Sequence, residues 1–258
     1  MPRFTTGSRV SLCYEDVGEG PPVVLVAGWP LTQRLWEPQV AAFVAAGHRV
    51  VTYDRRGFGC SDRPWLGHDP ATAAADLADL VDHLGLTAPA LVAFSTGCAE
   101  AIRYAVGSGR ASRLVLAGPV VFADPLAAEL RAAAERHRVP MLDDLTRRYF
   151  AVDGQDALDE PTRRYLLRSA EDSSPKAIAD ALTAWSEADP SDDLARLALP
   201  VLIVVGEDDA FVPPDEGGGR VAGAVAGSVL TTIPGAPHGA SATHQEQWNA
   251  IVLDFLAG

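Results

Sequence analysis

A chain of 258 residues with 48% hydrophobic and 21% charged side chains has room for one domain with a large core and the ordinary composition of a globular fold. Its net charge of −13 would repel nucleic acid and anionic membrane, so neither is expected as a partner. The three cysteines, Cys13, Cys60 and Cys98, are far apart and show no C-x-x-C spacing, which predicts neither a disulfide framework nor a zinc site.

The first residues, MPRFTTGSRVSLCYEDVG, lack the apolar core of a secretory signal. No run approaches the roughly 20 apolar residues of a membrane span, and the expectation is a reduced, cytoplasmic protein. VSLCYEDV (10–17) alternates as a half-buried strand, whereas PVVLVAG (22–28) and RVVTYD (49–54) are near-continuous apolar runs, as in strands buried on both faces. Between them QRLWEPQVAAFVAAG has helical spacing and stops at Gly47, a residue type favoured just past a helix end. A helix over 71–85 follows, then strands PALVAF (89–94) and RLVLAG (113–118).

From Val120 to Leu199 the pattern is helical only, in DPLAAELRAAAERH, LDDLTRRYF, EPTRRYLLRSAED and SPKAIADALTAWSEAD. Strand runs resume at PVLIVVGEDD (200–209) and SVLTTIPG (228–235), and HQEQWNAIVLDFLAG predicts the last helix. Alternating β and α elements imply a mostly parallel sheet covered on both faces. The helical insertion is expected as a small all-helical cap over the carboxyl ends of the strands, where ligands bind in open α/β sheets. Residues 1–119 and 200–258 then form the core, and 120–199 the cap.

The chemistry centres on AFSTGC (93–98), where Ser95 falls between a buried strand and a helix. A sharp turn there would lift its Oγ clear of both elements, and the small residues Ala93 and Gly97 suit the close backbone approach. Alternatively, Ser95 is an N-cap of the following helix, a position that serine favours. A nucleophilic serine needs a histidine to take its proton and a carboxylate to orient that histidine.

Of six histidines, only His238 follows a late strand in a Pro/Gly loop at the carboxyl edge, which selects it as the base. The loop after PVLIVV offers Glu207, Asp208 and Asp209, and periodicity does not choose among them. The order serine, acid, histidine is that of the α/β-hydrolase fold. Two backbone N–H groups, those of Thr96 and Trp29, are the expected oxyanion donors, since Pro30 has none.

Taken together, VVLVAGWPLTQRLWEPQV, GHRVVTYDRRGFGCSDRPW, LVAFSTGCAEAIRYAV and VGEDDAFVP…APHGASATHQEQWNAIVLDFL resemble the cofactor-free bacterial haloperoxidases and the related aryl esterases. The resemblance covers nearly the whole chain and implies an α/β-hydrolase fold with a mostly parallel eight-stranded sheet and a small helical cap. It implies Asp209 as the acid, with Ser95, His238 and the Trp29 and Thr96 N–H groups in the roles above. It also implies no cofactor or metal, a homo-oligomer, and an acyl-enzyme open to water or hydrogen peroxide.

The chain departs from the family pattern at Ala27, Cys60, Ala93, Cys98 and Ala240. Trp29, Phe122, Trp185 and Phe211 are candidates for lining the pocket. Cys98, one helical turn past Ser95, reads as a small buried hydrophobe rather than a second nucleophile.

The expected function is a serine hydrolase acting on a small, largely apolar carboxylic ester or lactone, with perhydrolysis of a carboxylic acid as a side activity. A specialised biosynthetic hydrolase (acyl transfer, C–C hydrolysis or cyclisation) and a non-catalytic ligand receptor on the same fold are the alternatives.

Overall fold

The computed structural model describes residues 1–258. Its strands are β1 (Arg3–Thr5), β2 (Ser11–Val17), β3 (Pro22–Val26), β4 (Arg49–Tyr53), β5 (Ala90–Phe94), β6 (Leu114–Ala117), β9 (Val201–Gly206) and β10 (Val229–Ile233). They form one eight-stranded sheet in the order β1-β2-β4-β3-β5-β6-β9-β10. β2 pairs antiparallel with both of its neighbours, β1 and β4; every other neighbouring pair is parallel.

Side chains alternate between the faces of a strand, and the sheet uses this to divide the core in two. Val23, Leu25, Val92, Phe94 and Val115 point to one face, with Phe43 of α1 (Glu37–Ala45) and Trp248 of the C-terminal helix (Gln245–Ala257). Val24, Val26, Leu91, Ala93 and Leu116 point to the other, with Leu77 of α2 (Pro70–His83) and Ile102 of α3 (Gly97–Ser108). Because β5, β6 and β9 are buried at every position, they read in sequence as unbroken apolar runs.

Between β6 and β9 the chain forms α4 (Pro125–Phe150), a two-stranded hairpin of β7 (Ala151–Val152) and β8 (Gln155–Asp156), α5 (Glu160–Glu171), α6 (Pro175–Ser186) and α7 (Ser191–Ala195). The hairpin has two residues per strand, too few for any periodicity to reveal. The helix starts repeat one local solution. Asp69, Asp124, Asp159 and Ser174 each accept a backbone N–H in the first turn, with a proline at one of the first two helical positions, where its missing N–H is not needed. Pro140 breaks α4 because it cannot donate to the preceding turn, and His137 leaves helical geometry at φ −147, ψ 61. The two helical segments read in sequence on either side of that break are one element with a kink.

The expectation of unpaired cysteines is corrected for two of the three. Cys13 on β2 and Cys60 in the loop after β4 form a disulfide, with Cα atoms 5.8 Å apart. Their segments are clamped together: the Cys13 carbonyl accepts from Asp54 N–H at 3.0 Å, and Cys13 N–H donates to Ser61 Oγ at 2.9 Å. Residues 47 apart in sequence meet through strand pairing, which no Cys spacing records. No helix is long and apolar enough to cross a membrane.

Candidate active site

At the end of β5 the backbone turns through Ser95 with φ +54, a left-handed conformation unfavourable for a residue with a side chain. The Ser95 N–H still donates to the Ala117 carbonyl at 2.9 Å, so the β5–β6 ladder runs into the turn. The turn is tight. A Cβ on Gly97 would lie 2.6 Å from the Ala27 carbonyl oxygen, and one on Gly28 would lie 2.7 Å from Ser95 Cβ. Ala93 is tolerated because it faces the apolar cluster on the other side of the sheet.

The capping alternative for Ser95 does not match the geometry. The N-cap position of α3 is Thr96 and carries no side-chain cap bond, while Ser95 Oγ lies 3.0 Å from His238 Nε2.

His238 stands in the loop after β10, and its Nδ1 lies 2.7 Å from Asp209 Oδ2. The other oxygen, Asp209 Oδ1, accepts from the backbone N–H groups of Phe211 at 2.9 Å and Val212 at 2.8 Å. Of the three acids in that loop, Glu207 and Asp208 are exposed and Asp209 is buried. Two glycines missed in the sequence make room for this arrangement. A Cβ on Gly206 would lie 2.2 Å from the Ala236 carbonyl oxygen, and one on Gly118 would lie 3.1 Å from the His238 ring. Their signal was present as glycine at a strand's carboxyl end, but only the neighbouring loop explains it.

Trp29 and Thr96 meet, though not as two free donors. The Trp29 N–H donates to Thr96 Oγ1 at 2.8 Å, so the resting structure fills one expected oxyanion donor with a hydroxyl of the chain itself. The Trp29 indole Nε1 donates to the Ile178 carbonyl of α6 at 3.2 Å. Phe211 packs 5.0 Å from the His238 ring, and Trp185 lies 6.1 Å from Phe211 with its Nε1 donating to the Phe122 carbonyl at 2.8 Å. Phe122 itself lies under the Arg220 guanidinium, 3.7 Å from its ring centroid, and is not brought to the triad.

Sequence reasoning missed Tyr149 altogether. From the end of α4 its ring reaches within 4.8 Å of His238 and 4.7 Å of Phe211, and its hydroxyl donates to the Trp29 carbonyl at 3.0 Å. Burial, then the Asp209 charge, push its phenol well above the usual range, with the neighbouring Ser95 hydroxyl pulling the other way. In the sequence Tyr149 is one more aromatic at helical spacing. Beneath Tyr149, Ser95 is 0% exposed.

Cys98 is fully buried, and burial raises its thiol well above the ordinary value, which leaves it protonated and inert. No three His, Cys, Asp or Glu side chains converge as a metal-ligand set. A buried serine hydroxyl bonded to an imidazole, itself bonded to a carboxylate, is an arrangement able to deliver an activated alkoxide to an acyl carbon.

Residues 21–245 match the family model described as the alpha/beta hydrolase fold. Among curated proteins, the chain is 34% identical to a non-heme chloroperoxidase of Streptomyces lividans, over 99% of both chains. It is 32% identical to a bifunctional esterase/perhydrolase of Acinetobacter calcoaceticus, also over 99% of both. Among solved structures, a bromoperoxidase from Bacillus anthracis superposes with a TM-score of 0.94 at 36% identity, over 100% of each chain.

Proposed function

The chain belongs to the alpha/beta hydrolase fold family, and from that premise we propose that it is a serine hydrolase cleaving a small, largely apolar ester or lactone through an acyl-enzyme, with hydrogen peroxide able to replace water. The observation that carries this reading is the unbroken hydrogen-bond chain from Asp209 through His238 to Ser95, at 2.7 and 3.0 Å, ending on a serine held in left-handed geometry.

His238 Nε2 takes the Ser95 proton as Oγ attacks the acyl carbon. Asp209, fixed by two backbone N–H groups, holds Nδ1–H and so sets the tautomer that leaves Nε2 free to accept. The tetrahedral oxyanion is received by the N–H groups of Thr96 and Trp29, the latter exchanging its Thr96 Oγ1 bond for the new oxygen. His238 then returns the proton to the leaving alcohol, and water, deprotonated by His238, attacks the acyl-enzyme and releases the acid.

Hydrogen peroxide attacking at the same point gives a peracid instead. Support for that branch comes from the relatives, whose names include chloroperoxidase and esterase/perhydrolase.

The test is a fluorophosphonate label located by peptide mapping, run with a panel of short aryl esters, lactones, and acetate with peroxide. Labelling at Ser95 with ester turnover is the expected result. Ligand binding without turnover or labelling would favour a receptor on this fold, and labelling without turnover of any generic ester would favour a specialised acyl transferase or C–C hydrolase.

A further inference from the structure

Beside the elbow is a cavity of about 60 Å³, bordered by Thr96, Val120 and Trp185, with room for a group of about four non-hydrogen atoms. Its apolar walls are small, with Ala99 on α3 and Ala181 and Ala184 on α6. Five charged or titratable residues also border it, and two are already committed. Arg56 is paired with Asp76 at 2.5 and 2.6 Å, and the Asp69 carboxylate caps α2 through Thr72. Of the other three, Arg55, His68 and Glu100, the first two each keep one unpartnered atom.

Arg55 Nη2 is buried and has no hydrogen-bond partner. His68 Nδ1 is likewise buried and unpartnered, and its chemical state can be deduced. The other ring nitrogen, Nε2, lies 3.0 Å from the Pro64 carbonyl oxygen. A carbonyl only accepts, so Nε2 carries the hydrogen. Burial lowers the His68 pKa, the ring is neutral, and Nδ1 presents a bare lone pair. Glu100 Oε1 accepts from the Tyr53 hydroxyl at 2.8 Å. Buried polar atoms in folded proteins are almost always satisfied, so two orphaned atoms on residues that border one cavity call for a partner from outside the chain, a water, an ion or a ligand group.

We propose that this cavity is a substrate subsite for an uncharged carboxamide, whose carbonyl accepts from the Arg55 guanidinium and whose N–H donates to His68 Nδ1. A carboxylate would suit Arg55 but would face the His68 lone pair and the Glu100 carboxyl, with no N–H of its own to offer. An ammonium would face the guanidinium. An alkyl group would leave both orphaned atoms bare. Because Thr96 follows Ser95 directly and borders the cavity, the amide sits on the same small molecule as the scissile ester or lactone, joined by a short spacer. This subsite rests on the serine-hydrolase reading above and narrows its substrate to an acyl or alcohol part that carries an amide.

The experiment compares matched aryl esters whose acyl chains end in carboxamide, carboxylate or an isosteric alkyl group, across a series of spacer lengths. At the best spacer, kcat/KM for the carboxamide is expected to exceed that for the alkyl ester by about ten- to a hundredfold, the effect of hydrogen bonds to buried charged and polar groups. The carboxylate is expected to gain nothing over the alkyl ester. Arg55→Met and His68→Phe should each bring the amide-to-alkyl ratio toward unity, with thermal melts confirming that each variant is folded.

An amide-to-alkyl ratio near one at every spacer in the wild type, a preference for carboxylate, or a ratio unchanged in both variants would overturn the subsite. If no ester is turned over and Ser95 is not labelled, it is the hydrolase reading that fails. The cavity is then judged by whether propionamide, but not propionate or butanone, raises the melting temperature of the wild type and not of the two variants. Stabilisation by propionamide alone keeps the amide site, and its absence removes it.

Discussion

The surroundings of Ser95 are built on two opposite rules. Toward Asp209 and His238, both carboxylate oxygens, both ring nitrogens and the serine hydroxyl have partners within the chain. Toward Arg55 and His68, two buried polar atoms have none. The difference separates preorganisation from reception. Groups that must act on a bond are held by the protein itself, so no reorganisation is needed at the moment of reaction. Groups that recognise a guest keep their hydrogen-bonding capacity free for it. Tyr149 and Thr96 stand between the two: each satisfies the Trp29 peptide, one at its carbonyl and one at its N–H.

The harshest break of the partnered side is Ser95→Ala or His238→Ala, each expected to lower kcat by about 10⁴- to 10⁶-fold with an unchanged melting curve. Asp209→Asn should come close behind at about 10⁴-fold, because the amide leaves His238 in the wrong tautomer. Steady-state kinetics on an aryl ester decide both, and a loss under tenfold in any of the three would remove the chain of proton transfer from the mechanism.

Glu100, which borders the same cavity, predicts a stability effect. Burial raises the Glu100 carboxyl from 4.5 to about 7, against the pull of the Arg55 guanidinium. The folded chain therefore keeps a proton that the unfolded chain releases, and stability falls as pH rises from about 4.5 to about 7, by on the order of 3 kcal/mol, then levels. Glu100→Gln retains the carbonyl that accepts from Tyr53 but does not titrate. Wild type and variant should melt together near pH 4.5, with the variant higher at pH 8. Parallel melting curves at both pH values would contradict the buried carboxyl.

The smallest effects come from the two residues in between, and they have opposite signs. Tyr149→Phe bares the Trp29 carbonyl and loosens the oxyanion loop, so kcat/KM should fall by about three- to tenfold. Thr96→Val keeps the side-chain shape but frees the Trp29 N–H for the incoming oxygen. It should raise kcat by up to about fivefold while lowering the melting temperature, since a buried donor loses its resting partner. Changes of the same sign in both variants would mean that the Thr96 hydroxyl assists the oxyanion rather than competing with it.

Much of this was legible beforehand because it is local. The buried runs at 22–28, 49–54, 89–94 and 113–118 became strands β3 to β6, and their order with the helices matches the mostly parallel sheet that was expected. Ser95 and His238 stood out because each follows a strand at the carboxyl edge. No single carboxylate did, since Glu207, Asp208 and Asp209 share a polar loop. Family resemblance singled out Asp209, which the structure buries against two N–H groups while leaving the other two exposed.

By itself, then, the sequence determined the sheet, the mostly helical stretch between β6 and β9, and the strand-end positions of Ser95 and His238, because periodicity and strand-end position act over a few residues. Only the tertiary structure decided which carboxylate turns inward, that Cys13 meets Cys60, and that Tyr149 from α4 packs over the serine. It also left Arg55 and His68 bordering one cavity. These features depend on contacts between segments tens of residues apart, where strand pairing and packing, not local pattern, set who meets whom.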